Sequence, residues 1–145
     1  MEYRLELVLL PVTDVDRSKT FYTQRCGFRL DVDHQAGDAF RVVQMTPPGS
    51  DCSIAIGIGI TDAAPGSVRG LHLVVVDIAA ARDELAGRGV EISEVRHFEA
   101  GGMVPGADPE RRDYQSFAFF GDPDGNTWAL QEMRSRSVDP AAAEA

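Results

Sequence analysis

Cysteine is scarce in this chain, with two residues in 145, Cys26 and Cys52, so a disulfide framework is excluded and a reducing, cytoplasmic setting is the expectation. Histidine is scarce too, with three residues that show no Cys/His spacing of the zinc-binding kind. No apolar run approaches the roughly 20 residues that span a bilayer. Charges at Glu2 and Arg4 stand where a secretory apolar core would begin. Basic residues are outnumbered, 14 Lys and Arg against 23 Asp and Glu, and the formal charge of −9 leaves no basic stripe for nucleic acid or an anionic membrane. The glycines of Gly57-Ile58-Gly59-Ile60 lack the third glycine and the following helix of a nucleotide fingerprint, and no phosphate-cradling loop replaces it. No Ser/His/Asp arrangement supports a nucleophilic triad.

What is present is one domain's worth of ordinary globular sequence, 43% hydrophobic and 26% charged, long enough to bury about two-thirds of its unfolded surface. Leu5 to Val12 reads as a strand with Pro11 near its end. Asp14 is a helix N-cap candidate, Val15 to about Arg25 the helix, and Gly27 its stop. Phe28 to Val32, Phe40 to Met45 and Cys52 to Ile60 follow as strands, the last two separated by Pro47-Pro48-Gly49-Ser50. The pattern then restarts. Leu71 to Val76 is a β-branched strand, Asp77 caps a helix to about Arg88, Gly89 stops it, and Val90 to Val95 is the next strand. Phe117 to Glu132 supplies the last two as a hairpin turning on Asp122-Pro123-Asp124-Gly125-Asn126. Asp14 precedes Gly27 by 13 positions and Asp77 precedes Gly89 by 12, so the chain reads as a repeated βαβββ unit. The expected fold is α+β, with modules at about 4–60 and 70–134, a linker at 61–70, one domain over 1–136 and a disordered tail at 137–145.

Side-chain parity on the strands then sorts inner from outer residues. Val12 leads directly into the first helix, so Val8, Leu10 and Val12 pack on it and Leu7 and Leu9 take the other face. In the second unit Leu71, Leu73 and Val75 face the helix, leaving Gly70, His72 and Val74 opposite.

Pro11-Val12-Thr13-Asp14-Val15-Asp16-Arg17-Ser18 with Phe21-Tyr22 and Gly27-Phe28, then Gly70-Leu71-His72-Leu73-Val74-Val75-Val76-Asp77 and the Asp122-to-Asn126 turn, resemble the vicinal oxygen chelate superfamily. That group includes glyoxalases, bleomycin-resistance proteins and extradiol dioxygenases, and the resemblance covers about residues 4–134. It implies paired modules whose sheets form a cup with helices on the outer faces, in a chain that forms a homodimer. It also implies that Ser53, Ala55 and Gly57, and Thr127, Ala129 and Gln131, face inward. Metal-dependent relatives carry His, Glu or Gln at four inward positions, which fall here on Leu7, Ala55, Gly70 and Ala129. None has a donor side chain, and of the residues one step away only Glu6 does, so no metal and no other cofactor is expected.

The candidate ligand-binding residues are therefore Leu7, Leu9, Ser53, His72, Val74, Arg111, Tyr114 and Gln131. His72 is the one histidine on an expected inward strand face, and it reads either as a pocket-wall residue or as a hydrogen-bonder or general base. Gln131 can orient a ligand carbonyl or hydroxyl, or satisfy backbone at the sheet end. Ser53 reads as filler more readily than as a nucleophile. Residues 97–115 read as a long irregular cover with hinges at Gly101-Gly102 and Pro105-Gly106, from which Arg111, Arg112 and Tyr114 can close over a ligand; a solvated charge cluster of the Arg pair with Glu110 and Asp113 is the plain alternative. Two functions remain open. One is a metal-free binding protein for an apolar or aromatic small molecule. The other is a superfamily enzyme, a lyase, isomerase or dioxygenase, using His72 as acid/base or a metal at other ligands.

Overall fold

The computed structural model describes residues 1–138. Two helices and nine strands divide between two compact units, Met1–Arg69 with Gly121–Thr127, and Gly70–Phe120 with the chain from Trp128 onward. Each holds one mixed sheet and one helix, the two-module α+β architecture that the repeat predicts. The expected disordered tail at 137–145 lies outside the described residues, apart from the end of the 3-10 turn Arg134–Val138.

In the first unit β1 (Leu7–Leu9), β2 (Arg29–Ala36), β3 (Phe40–Thr46) and β4 (Ser53–Ile58) form a sheet in the order β1-β4-β3-β2. β1 runs parallel to β4 and the other pairs are antiparallel. Helix α1 (Val15–Thr20) starts where Asp14 Oδ1 accepts the Arg17 N–H at 3.0 Å, and continues as a π-helical turn over Phe21–Arg25. Gly27 then takes φ 75°, a conformation that glycine adopts without strain, and releases the chain into β2. Val43, Met45, Ile54, Ile56 and Leu10 alternate onto one face and are almost fully buried. Arg41, on that same face of β3, bonds Asp16 of α1 at 2.9 Å, so this is the face that meets the helix.

The turn at 121–127 is part of this first unit although its flanking strands are not. Asp122 collects four donors: Tyr22 O–H at 2.8 Å, the Asn126 side-chain amide at 2.8 Å, and the N–H groups of Asp124 and Asn126 at 2.9 Å each. Asn126 donates onward to the Pro11 carbonyl at 3.0 Å and accepts from the Val68 N–H at 3.0 Å. Asp124 accepts from the Thr13 hydroxyl at 2.7 Å. A Cβ on Gly66, at φ 80°, would lie 2.2 Å from the Asp124 carbonyl oxygen, so the backbone approach there requires glycine.

In the second unit β5 (Leu71–Val75), β6 (Arg96–Glu99), β7 (Gly102–Pro105), β8 (Ser116–Gly121) and β9 (Thr127–Glu132) order as β5-β9-β8-β6-β7. Helix α2 (Ile78–Gly87) begins where Asp77 Oδ1 accepts the Ala80 N–H at 3.1 Å, and Gly89 follows at φ 92°. Two sequence expectations change here. Val90–Val95 is not a strand; it touches β8 through one isolated bridge, Ile92 to Phe120. Ser93 supplies a side-chain bond in place of a ladder, its Oγ accepting the Phe119 N–H at 2.9 Å, while Arg82 takes the Ile92 and Ser93 carbonyls. The pairing strand lies further on, because the stretch read as an irregular cover contains the β6–β7 hairpin, with Gly101 and Gly102 at φ 97° and 134° as its turn rather than as hinges.

Candidate functional site

Register settles the faces. In the first unit Leu7 pairs with Ser53 and Leu9 with Ala55, so these four share the face opposite α1, joined by Gln44 across β3. Leu7 and Leu9 are partly exposed, at 38% and 37%, whereas Val8 and Leu10 turn toward the helix side. Ser53 is buried, and its hydroxyl lies 2.6 Å from Thr46 Oγ1, which in turn donates to the Asp31 carboxylate. With the Thr46 proton directed at Asp31, Ser53 is the donor to Thr46. It has no base to activate it and acts as a packed polar group of the sheet.

In the second unit His72 pairs with Ala129 and Val74 with Gln131, and these four share one face. The opposite face carries Trp128, Leu130 and Glu132, and Glu132 accepts the Ile78 N–H at 2.9 Å, so that is the side of α2. His72 and Gln131 are joined directly, with Nδ1 3.0 Å from Oε1, and the Gln131 amide N–H donates to the Tyr114 carbonyl at 3.1 Å. Around them lies an aromatic group that the sequence reading did not single out. Phe117 meets His72 edge to face at 6.4 Å, Phe98 edge to face at 5.3 Å, and Phe119 in parallel at 6.0 Å. Phe117 is buried while Phe98 and Phe119 are 47% and 39% exposed, and Val74 is 36% exposed. Alternation within Phe117-Ala118-Phe119 carried this signal, since its two rings must share a face.

Arg111 stands elsewhere. Its guanidinium pairs with the fully buried Glu132 carboxylate, through Nε at 2.8 Å and through Nη2, on the helix side of β9. Burial pushes the Glu132 carboxyl up, but the Arg111 guanidinium and the Ile78 N–H outweigh it and hold it below its ordinary value. Arg112 is likewise engaged, chelating the buried Asp108 at 2.9 and 3.0 Å, and its guanidinium depresses the Asp108 carboxyl strongly. Tyr114 contributes its backbone, with N–H donating to the Glu132 carbonyl at 2.7 Å and the carbonyl accepting from Gln131. Asp113 accepts from the Ser135 hydroxyl at 2.6 Å. The 106–115 turn is thus pinned at several points, and its Tyr114 carbonyl orients the Gln131 amide.

An aromatic floor thus lies beside an oriented imidazole–amide pair, on a half-exposed sheet face of a two-module α+β protein. The family model for the Glyoxalase/Bleomycin resistance protein/Dioxygenase superfamily matches residues 4–130, and the chain belongs to that superfamily. Comparison with curated proteins finds no significant match. Among solved structures, TnmS3, an antibiotic binding protein from Streptomyces sp. CB03234, is 32% identical, with 90% of this chain and 96% of that chain covered at a TM-score of 0.70. A glyoxalase/bleomycin resistance protein from the same organism is 33% identical, with 88% and 99% covered at 0.67. A superfamily member from Sphaerobacter thermophilus DSM 20745 is 27% identical, with 91% and 98% covered at 0.70.

Proposed function

We propose that this protein binds an apolar or aromatic small molecule, without a metal, on the sheet face opposite α2. The observation that carries this reading is the cluster of Phe98, Phe117 and Phe119 around the bonded His72–Gln131 pair. Half-exposed phenyl rings gain by being covered with apolar surface, and the pair supplies the few polar contacts that orient a ligand. The description of TnmS3 as an antibiotic binding protein supports the same class of ligand. Titration with planar aromatic antibiotics tests it. Saturable binding that Phe119→Asp abolishes and His72→Ala weakens by about 1–3 kcal/mol, with folding intact by circular dichroism, is the expected result. Undiminished binding by both variants would move the site elsewhere.

A second reading, an enzyme of the same superfamily with His72 as acid/base, draws on the fixed orientation of the imidazole. Conversion of a bound aromatic, lost in His72→Ala while binding persists, would favour it. A cytoplasmic homodimer completes the proposal. The exposed alternation of Tyr3 and Leu5 with Glu2, Arg4 and Glu6 supports a partner surface, and light scattering after gel filtration reads the mass.

A further inference from the structure

We infer, resting on that binding reading, that the ligand is a planar aromatic carrying a hydrogen-bond donor, a phenolic hydroxyl or ring N–H, and that His72 Nε2 is the acceptor that selects it.

The inference follows one chain of donors and acceptors. A backbone carbonyl only accepts, so the Tyr114 carbonyl, 3.1 Å from Gln131, must receive the amide N–H. The Gln131 amide is thereby held with Oε1 toward His72, and an amide oxygen also only accepts. His72 Nδ1 must then carry the proton. In a neutral imidazole the other nitrogen is left with a bare lone pair, and among the described residues none bonds Nε2. The ring is exposed beside the Phe117 edge, so that lone pair is presented on the aromatic face.

The anchor of this chain is rigid. Tyr114 sits at φ 66°, a left-handed conformation unfavourable for a residue with a Cβ, and it is held there from both sides. Its N–H bonds the Glu132 carbonyl at 2.7 Å, Arg111 clasps the Glu132 carboxylate and Asp113 bonds Ser135. The turn that reads in sequence as a lid therefore acts as a fixed acceptor that sets a tautomer two side chains away. An aromatic bearing only carbonyl or ether oxygens offers Nε2 a lone pair against a lone pair and gains nothing there.

Two measurements on the intact protein test this. The first needs no ligand: 15N shifts of the His72 ring at pH 8, assigned by comparison with His72→Phe, should show a protonated Nδ1 and a bare Nε2, and Gln131→Leu should lose that bias. The second compares 2-naphthol with 2-methoxynaphthalene, which keep the same ring and oxygen while a methyl group replaces the donor proton. Naphthol should bind about tenfold more tightly, a preference that His72→Phe erases. A predominantly Nε2-protonated ring, or equal affinities of the two probes, would overturn the inference while leaving the aromatic face in place. Binding of neither probe by a protein whose Nδ1 is protonated would defeat the binding reading itself, and the ligand class with it.

Discussion

Asp122 shows how a single side chain can hold a turn to a helix distant in sequence. Its two oxygens take four donors, including the hydroxyl of Tyr22, which is itself fully buried. Tyr22→Phe removes one donor and leaves the carboxylate three others, so it should lower stability by about 1–2 kcal/mol. Asp122→Ala removes the acceptor of all four bonds at once, three of them buried, and should cost about 3 kcal/mol or more, read from the shift of the urea midpoint. Equal effects of the two substitutions would mean that the Tyr22 bond alone matters. The Asp-Pro-Asp-Gly-Asn turn was legible as a turn because Asp and Gly chemistry is local. Its attachment to Tyr22, Pro11 and Val68 was not, since those partners stand 58 to 115 positions away.

At the scale of elements, the β6–β7 hairpin is closed by a buried imidazole. His97 Nδ1 lies 2.7 Å from the Gly106 carbonyl and Nε2 lies 2.9 Å from Glu99 Oε1. Both partners are acceptors, so both bonds form only with the doubly protonated ring. The Glu99 carboxylate first, then the Gly106 carbonyl, raise the His97 pKa; Asp108 adds to this, and Asp108 is itself paired with Arg112. A raised native value means that the contribution is fully present below the ordinary imidazole pKa of about 6.5 and is lost as pH rises through the native one. Amide exchange across 96–105 should therefore accelerate, beyond its intrinsic pH dependence, as pH rises above the ordinary imidazole value of about 6.5 and through the raised native one, and His97→Gln should flatten that excess. An unchanged profile in the variant would show that the ring is not the latch. The two helices were readable in advance because their Asp caps and glycine stops act within a few residues. The hairpin was not, because Arg96-His97-Phe98-Glu99 has no apolar alternation and its ring bonds only after the chain returns at Gly106. The placing of Arg111 escaped for the same reason: only the end of β9 brings Glu132 to it.

For the molecule as a whole, the question that divides its superfamily is whether a metal does the chemistry, and the answer turns on donor atoms. The four positions that the family resemblance assigns to ligands are Leu7, Ala55, Gly70 and Ala129, three hydrocarbon side chains and one glycine, with no donor atom among them. Ala129 pairs with His72, whose Nδ1 is already committed to Gln131, and Ala55 pairs with Gln44. Among the described residues no three His, Cys, Asp or Glu side chains converge closely enough to hold an ion. The donors on these faces are the amides of Gln44 and Gln131 and one imidazole, with no carboxylate or thiolate beside them, a poor set for a tightly held divalent cation. Protein purified without chelator should accordingly carry far less than one Ni, Zn, Mn or Fe per chain by elemental analysis, and its affinity for an aromatic ligand should be the same before and after treatment with EDTA. About one such ion per chain, removed by EDTA together with ligand binding, would reverse the reading and return this protein to the metal-dependent side of its family.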